Sequence, residues 1–140
     1  MYRITREVCF SYGHRLLHHE GKCGRLHGHN GRLRITLASE TLDAAGMVVD
    51  FLDIKRLVTQ WVEENLDHRM ILNRDDPAVA ALQALGEPLC VVGFNPTAEN
   101  LARHVFQHLR TINLPVAEVL FEETANCSAS FSREREGLSH

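Results

Sequence analysis

Leu26-His27-Gly28-His29-Asn30-Gly31-Arg32-Leu33-Arg34-Ile35-Thr36-Leu37-Ala38-Ser39 is the run on which the reading of this chain turns. Its odd positions are His27, His29, Gly31, Leu33, Ile35 and Leu37, and its even positions include Arg32, Arg34 and Thr36. Successive side chains of a strand alternate faces, so the pattern predicts a strand with a core face and a polar face. His27 and His29 fall on the core face, roughly 7 Å apart along the backbone. Cys23 lies four positions before His27. Upstream, Tyr2, Ile4, Val8, Phe10 and Tyr12 alternate in the same way, with Arg6 out of pattern, and His14 continues their inward parity. Three imidazoles and a thiol gathered by two short segments ask for a metal, a nucleophile or both.

Working outward, residues 2 to 14 form the first strand and residues 15 to 24 a loop. Residues 40 to 47 make a polar connection, and 47 to 50 a short strand entering a helix capped by Asp50. Ile54, Leu57, Val58, Trp61, Val62 and Leu66 recur at three- and four-residue spacing and predict that helix. A short helix follows, with Asp76 as cap, Pro77 at its start and Gly86 beyond its end. Residues 89 to 93 are a short strand or extended segment. A second long helix starts at Asn95-Pro96-Thr97-Ala98-Glu99-Asn100, with Leu101, Val105 and Leu109 on one face. Ala117, Val119, Phe121 and Glu123 share the inner face of a third strand, and Cys127, Ala129 and Phe131 mark its return. The polar tail runs from Ser132 to His140. The expected architecture is one α+β domain over residues 1–140, a four-stranded antiparallel sheet of two hairpins with two main helices on one face.

At 140 residues the chain can bury roughly two-thirds of its unfolded surface. A net charge of −3 without a basic stripe argues against nucleic acid as a partner. No stretch approaches the ~20 apolar residues of a membrane helix, so no membrane partner is expected. Met1–Glu7 carries charges where a secretory signal has an apolar core, and the four cysteines are scattered, so a reducing cytoplasm is expected.

Neutral imidazole is the common zinc ligand, and His14, His27 and His29 together propose a zinc site. Spacing leaves two forms open: a catalytic centre with an open fourth position, or a closed structural one with Cys23 as fourth ligand. His18 and His19 fall in the loop and His104 and His108 on a helix, all expected at the surface. Asp67-His68 reads as an acid–base pair, a histidine of the kind that promotes a thiolate. An inward Glu123 needs either an ion pair, with Arg32 or Arg34, or a ligand offering N–H donors.

The ordered set Phe10-Ser11-Tyr12-Gly13-His14, Cys23-Gly24-Arg25-Leu26-His27-Gly28-His29-Asn30, Val49-Asp50-Phe51, Leu66-Asp67-His68 with Leu72-Asn73, Pro96-Thr97-Ala98-Glu99-Asn100 and Glu123-Thr124 resembles the 6-pyruvoyl-tetrahydropterin synthase and 6-carboxy-5,6,7,8-tetrahydropterin synthase family over nearly the whole chain. The resemblance implies the tunnelling fold (T-fold), whose subunits pool their sheets into a barrel, here a homo-oligomer and by expectation a hexamer made of two trimers. It implies zinc on His14, His27 and His29, proton transfer by Cys23, and a triad completed by Asp67 and His68 that serves a neighbouring subunit's cysteine. Glu123, with Thr124 beside it, would anchor the pterin. The implied activity is that of a zinc-dependent lyase on 7,8-dihydroneopterin triphosphate, eliminating triphosphate. The three-residue gap between Cys23 and His27 points to the 6-carboxy branch, which also releases acetaldehyde and feeds queuosine-type deazapurine synthesis. The alternatives are the 6-pyruvoyl product, another pterin side-chain lyase, or a noncatalytic zinc protein that binds a pterin or purine. Gly13 and Gly31, where alanine and an aromatic are usual, and a long 74–95 segment depart from the family pattern. Arg15, Lys22 and Arg25 are candidates to meet the triphosphate.

Overall fold

The computed structural model describes residues 1–133. Two thirteen-residue strands, β1 (Tyr2–His14) and β2 (His27–Ser39), form its centre. They pair antiparallel without a break, from Tyr2 opposite Ser39 to His14 opposite His27. The alternation expected on both strands is present: Val8, Phe10, Tyr12 and His14 are buried on β1, and Leu33, Ile35 and Leu37 on β2.

Helix α1 is one continuous rod made of Phe51–Ile54, a π-helical turn Lys55–Thr59, and Gln60–Asn65. Asp50 caps it, its carboxylate accepting the Leu52 N–H at 2.8 Å. Residues 47 to 49 are irregular rather than the short strand expected before that cap. Ile54, Val58, Val62 and Leu66 recur every fourth residue and are fully buried. Helix α2 (Ala78–Ala84) begins where Asp76 accepts the Ala78 N–H, and Gly86 follows its end at φ +75°. Helix α3 (Ala98–Thr111) is capped by Thr97 and buries Leu101, Ala102, Val105, Phe106 and Leu109. Helices α1 and α3 share a single core with the inner face of the sheet, whereas α2 buries none of its residues.

The sheet has six strands, not four, in the order β4 (Leu89–Val92), β3 (Arg69–Asn73), β1, β2, β5 (Val116–Thr124), β6 (Cys127–Ser132). Strand β3 (Arg69–Asn73) lies parallel to β1, and β4 (Leu89–Val92) parallel to β3. Met70-Ile71-Leu72 is an apolar run, as expected for a short strand covered on both sides, and so offers no alternation to detect. The two expected hairpins exist: β1 with β2, and β5 (Val116–Thr124) with β6 (Cys127–Ser132). Residues 74 to 95 supply α2 and β4, which extend the sheet beyond β3. On β5 the register shifts opposite Thr36 and Leu37, so Val116 is buried where Ala117 was expected. Of the expected tail, Ser132 belongs to β6, and 134–140 lie outside the described residues.

His104 and His108 depart from expectation. They pack beneath Trp61, His108 stacked on its ring at 4.1 Å between centroids, and burial lowers the pKa of both. No helix among the described residues is long and apolar enough to cross a membrane.

Candidate metal and active site

The β1–β2 register sets His27 directly across from His14, and His29 two positions further along β2 on the same face. Their potential ligating atoms lie within 4.8 Å of one another. Backbone carbonyls fix two of the rings. His14 Nδ1 donates to the Pro96 carbonyl at 2.8 Å, and His27 Nδ1 donates to the Arg25 carbonyl at 2.6 Å. Each Nε2 is thereby left as a bare lone pair, the atom and tautomer a metal requires.

His14 supplies the test of fit. It is 2% exposed, and its Nε2 has no hydrogen-bond partner. Burial drives its pKa down to about 4, reinforced by His27 and His29 and only partly opposed by the Pro96 bond. At neutral pH it is a neutral imidazole with an orphaned acceptor, which costs stability unless something fills it. A divalent cation on three nitrogens fits that vacancy in the hydrogen bonding.

Around the histidines lies a cleft of ≈ 360 Å³ that also receives Cys23 and Glu123. Cys23 sits in a single 3-10 turn, Lys22–Gly24, and its thiol is exposed and outside the metal-capable group. The geometry therefore favours an open fourth position over the closed Cys-His-His-His form. Glu123 lies on the inward side of β5, its Oε1 3.8 Å from His14 Nε2. With His14 neutral this is proximity, not an ion pair. Arg32 instead pairs with the neighbouring Glu122 at 3.1 Å, and Arg34 with Glu7 at 2.9 Å, both on the polar face. Glu123 thus keeps its acceptors for the cleft. Thr124 is exposed at the hairpin, where its hydroxyl accepts the Asn126 N–H, and it does not line the cleft.

Asp67 and His68 are paired as expected, His68 Nδ1 to Asp67 Oδ2 at 2.9 Å. Asp67 also accepts the Ser11 N–H at 2.9 Å, and the Ser11 carbonyl accepts the His68 N–H at 2.7 Å. His68 adopts φ +56°, a turn that carries the chain from α1 into β3. Although burial acts to raise it, these bonds hold the Asp67 carboxyl below its ordinary value. Yet the pair faces a different cleft, of ≈ 500 Å³, with Cys9, Ser11, Asn30 and Arg32. One chain alone does not bring it to Cys23.

Three features escaped the sequence. Arg15 is not free for a triphosphate, because it makes a two-point ion pair with buried Asp76, Nε to Oδ2 at 2.6 Å. Cys127 is a second thiol lining the histidine cleft. Pro96 and Arg25 orient the ligands through main-chain carbonyls, which leave no trace in side-chain pattern. The departures have plain causes: a Cβ at Gly31 would stand 2.9 Å from the Tyr12 ring, and the 74–95 segment walls the His68 side through Leu82, Leu85 and Glu87.

The chain is similar to known proteins over nearly its whole length. The family model for 6-pyruvoyl tetrahydropterin synthase matches residues 3–134. The chain is 39% identical over 134 residues to a 6-carboxy-5,6,7,8-tetrahydropterin synthase of Rickettsia conorii, covering 91% of this chain and 97% of the relative. Among solved structures, an uncharacterized protein from Wolinella succinogenes superposes with TM-score 0.83 at 28% identity, covering 95% and 98% of the two chains. The Caenorhabditis elegans 6-pyruvoyl tetrahydropterin synthase gives TM-score 0.71 at 26% identity, covering 95% and 96%.

Proposed function

The chain belongs to the 6-pyruvoyl tetrahydropterin synthase family, and on that premise we propose that it is a zinc-dependent 6-carboxy-5,6,7,8-tetrahydropterin synthase. It would convert 7,8-dihydroneopterin triphosphate to 6-carboxy-tetrahydropterin with loss of triphosphate and acetaldehyde, in the cytoplasm and on the way to a deazapurine. The carrying observation is one cleft that holds three convergent histidines, an orphaned His14 Nε2, a free thiol and an unpaired inward carboxylate. That the Rickettsia relative is a 6-carboxy-5,6,7,8-tetrahydropterin synthase supports the 6-carboxy product over the 6-pyruvoyl one.

In this reading His14, His27 and His29 hold zinc, which when bound supplies Lewis-acid polarisation of the substrate's side-chain oxygens. Glu123 accepts two N–H donors from the amino-pyrimidinone edge of the pterin and fixes the ring in the cleft. Cys23, on its exposed turn, takes and returns the proton at the side-chain carbon next to that ring. Asp67 orients His68, and the pair acts on the Cys23 of a neighbouring subunit, which makes a homo-oligomer, a hexamer in this proposal, part of the active site. Thr124 contributes only through the hairpin that carries Glu123. Lys22 and Arg25 remain to meet the triphosphate.

The test is mass spectrometry of products after zinc-loaded protein meets 7,8-dihydroneopterin triphosphate. A 6-carboxy-tetrahydropterin peak with acetaldehyde is the expected result. A pyruvoyl product would move the chain to the sister activity. Tight pterin binding without conversion would make it a binding protein.

A further inference from the structure

Asn95 is not a cleft residue, yet the cleft is referenced to it. Its side chain closes a two-way clamp on the backbone of Leu17: the Leu17 N–H donates to Asn95 Oδ1 at 2.9 Å, and Asn95 Nδ2 donates to the Leu17 carbonyl at 3.0 Å. An amide can do this because it carries donor and acceptor side by side, the pattern of a strand pair. One residue earlier, the Leu16 N–H donates to the Cys23 carbonyl at 2.8 Å, so the clamped segment is tied to the turn that presents the thiol.

Asn95 is itself fixed. Its carbonyl accepts from the Thr97 N–H at 2.8 Å and from Asn100 Nδ2 at 3.0 Å, which binds it to the start of α3. The next carbonyl along, that of Pro96, orients His14. Two consecutive residues therefore hold the thiol loop and a histidine of the cluster in one frame. The two are separable by chemistry: the Leu17 clamp is a side-chain device, and the His14 bond is a main-chain one.

We propose that Asn95 is a positioning residue, whose clamp on Leu17 sets the Cys23 turn against the histidine cluster. Its catalytic consequence rests on the proton-transfer role proposed for Cys23; its mechanical consequence does not. A group held by two hydrogen bonds from a rigid element keeps a reacting atom within the few tenths of an ångström that turnover requires.

Asn95→Ala and Asn95→Asp separate this from a general loss of stability. Asp keeps an acceptor for the Leu17 N–H and loses the donor to its carbonyl. Hydrogen exchange on the zinc-loaded protein is expected to speed up about tenfold at Leu16 and Leu17 in Asn95→Ala and less in Asn95→Asp, with β1 and β2 amides unchanged. With 7,8-dihydroneopterin triphosphate, kcat is expected to fall roughly 10–100-fold in Asn95→Ala, with KM and zinc content retained and partial recovery in Asn95→Asp. Unchanged exchange at Leu16 and Leu17, or equal acceleration across β1 and β2, overturns the clamp. A loosened loop with wild-type kcat overturns its catalytic role. If the wild-type protein does not convert the substrate, the assigned reaction fails and the exchange result still decides the clamp.

Discussion

The histidine cleft and the Asp67–His68 corner are two separate clefts of one chain, and they differ in what completes them. In the cleft, His14 is 2% exposed, two imidazoles are locked by carbonyls, and Cys23 and Glu123 are already in place. At the corner, the Asp67–His68 bond is formed, but the His68 side chain is 81% exposed. The first region brings its metal-capable histidines, a thiol and a carboxylate together within one chain. The second holds a formed Asp67–His68 pair in a cleft that Cys23 does not line. Their separation within a chain is what an active site built between subunits requires.

The largest effect belongs to the cluster. His27→Ala removes one of three nitrogens, and zinc content measured by plasma mass spectrometry is expected to fall to background, with turnover following it. Cys23→Ala is the matching probe on the other side of the cleft. It should keep zinc and lose turnover by roughly 10²–10⁴-fold. Loss of zinc in Cys23→Ala would instead make the thiol a ligand and the site a closed structural one.

Next in size is a mixing experiment. Cys23→Ala and His68→Ala chains should each be inactive alone. If Cys23 and His68 act across an interface, co-refolded 1:1 mixtures contain about a quarter of intact sites by random assembly. Activity near that fraction is expected. Mixtures as inactive as their parents would mean that thiol and imidazole must come from one chain, and the two-region description would fail.

How far the sequence carried this picture depended on whether side chains or backbone did the work. Alternation in Tyr2–His14, broken only at Arg6, and in His27–Ser39 predicted the central hairpin, and with it the convergence of His14, His27 and His29. Glu123 was correctly turned inward because Phe121 fixes its parity. Strand β3 was not legible because a buried run such as Met70-Ile71-Leu72 has no period, and Ala117 was misassigned because a register shift breaks one. Arg15 looked available for an anion because its partner Asp76 is distant in sequence. Asp67 and His68 are tied to the Ser11 main chain where β3 begins to pair with β1, so missing that strand hid the location of the dyad.

The smallest effect tests whether the cleft side is held more tightly than the corner. The Arg15 guanidinium hydrogen-bonds to Asp76 and holds its carboxyl below the ordinary range, with the Ala78 N–H adding to the effect and burial opposing it. Such a group stabilises the fold fully above its unfolded pKa of about 3.9, and that contribution is lost as pH falls through the lower folded value. Asp76→Asn retains an acceptor to cap α2 and removes the charge. Because the Arg15 side chain is 25% exposed, the cost at pH 7 is expected near the low end for a buried pair, about 1–3 kcal/mol in urea unfolding. The difference between variant and wild type should narrow as pH drops below about 4. Hydrogen exchange should loosen residues 15 to 24 in the variant and leave His68 and Arg69 as they were. A gap that persists undiminished in acid would mean that Asp76 acts by packing rather than by charge.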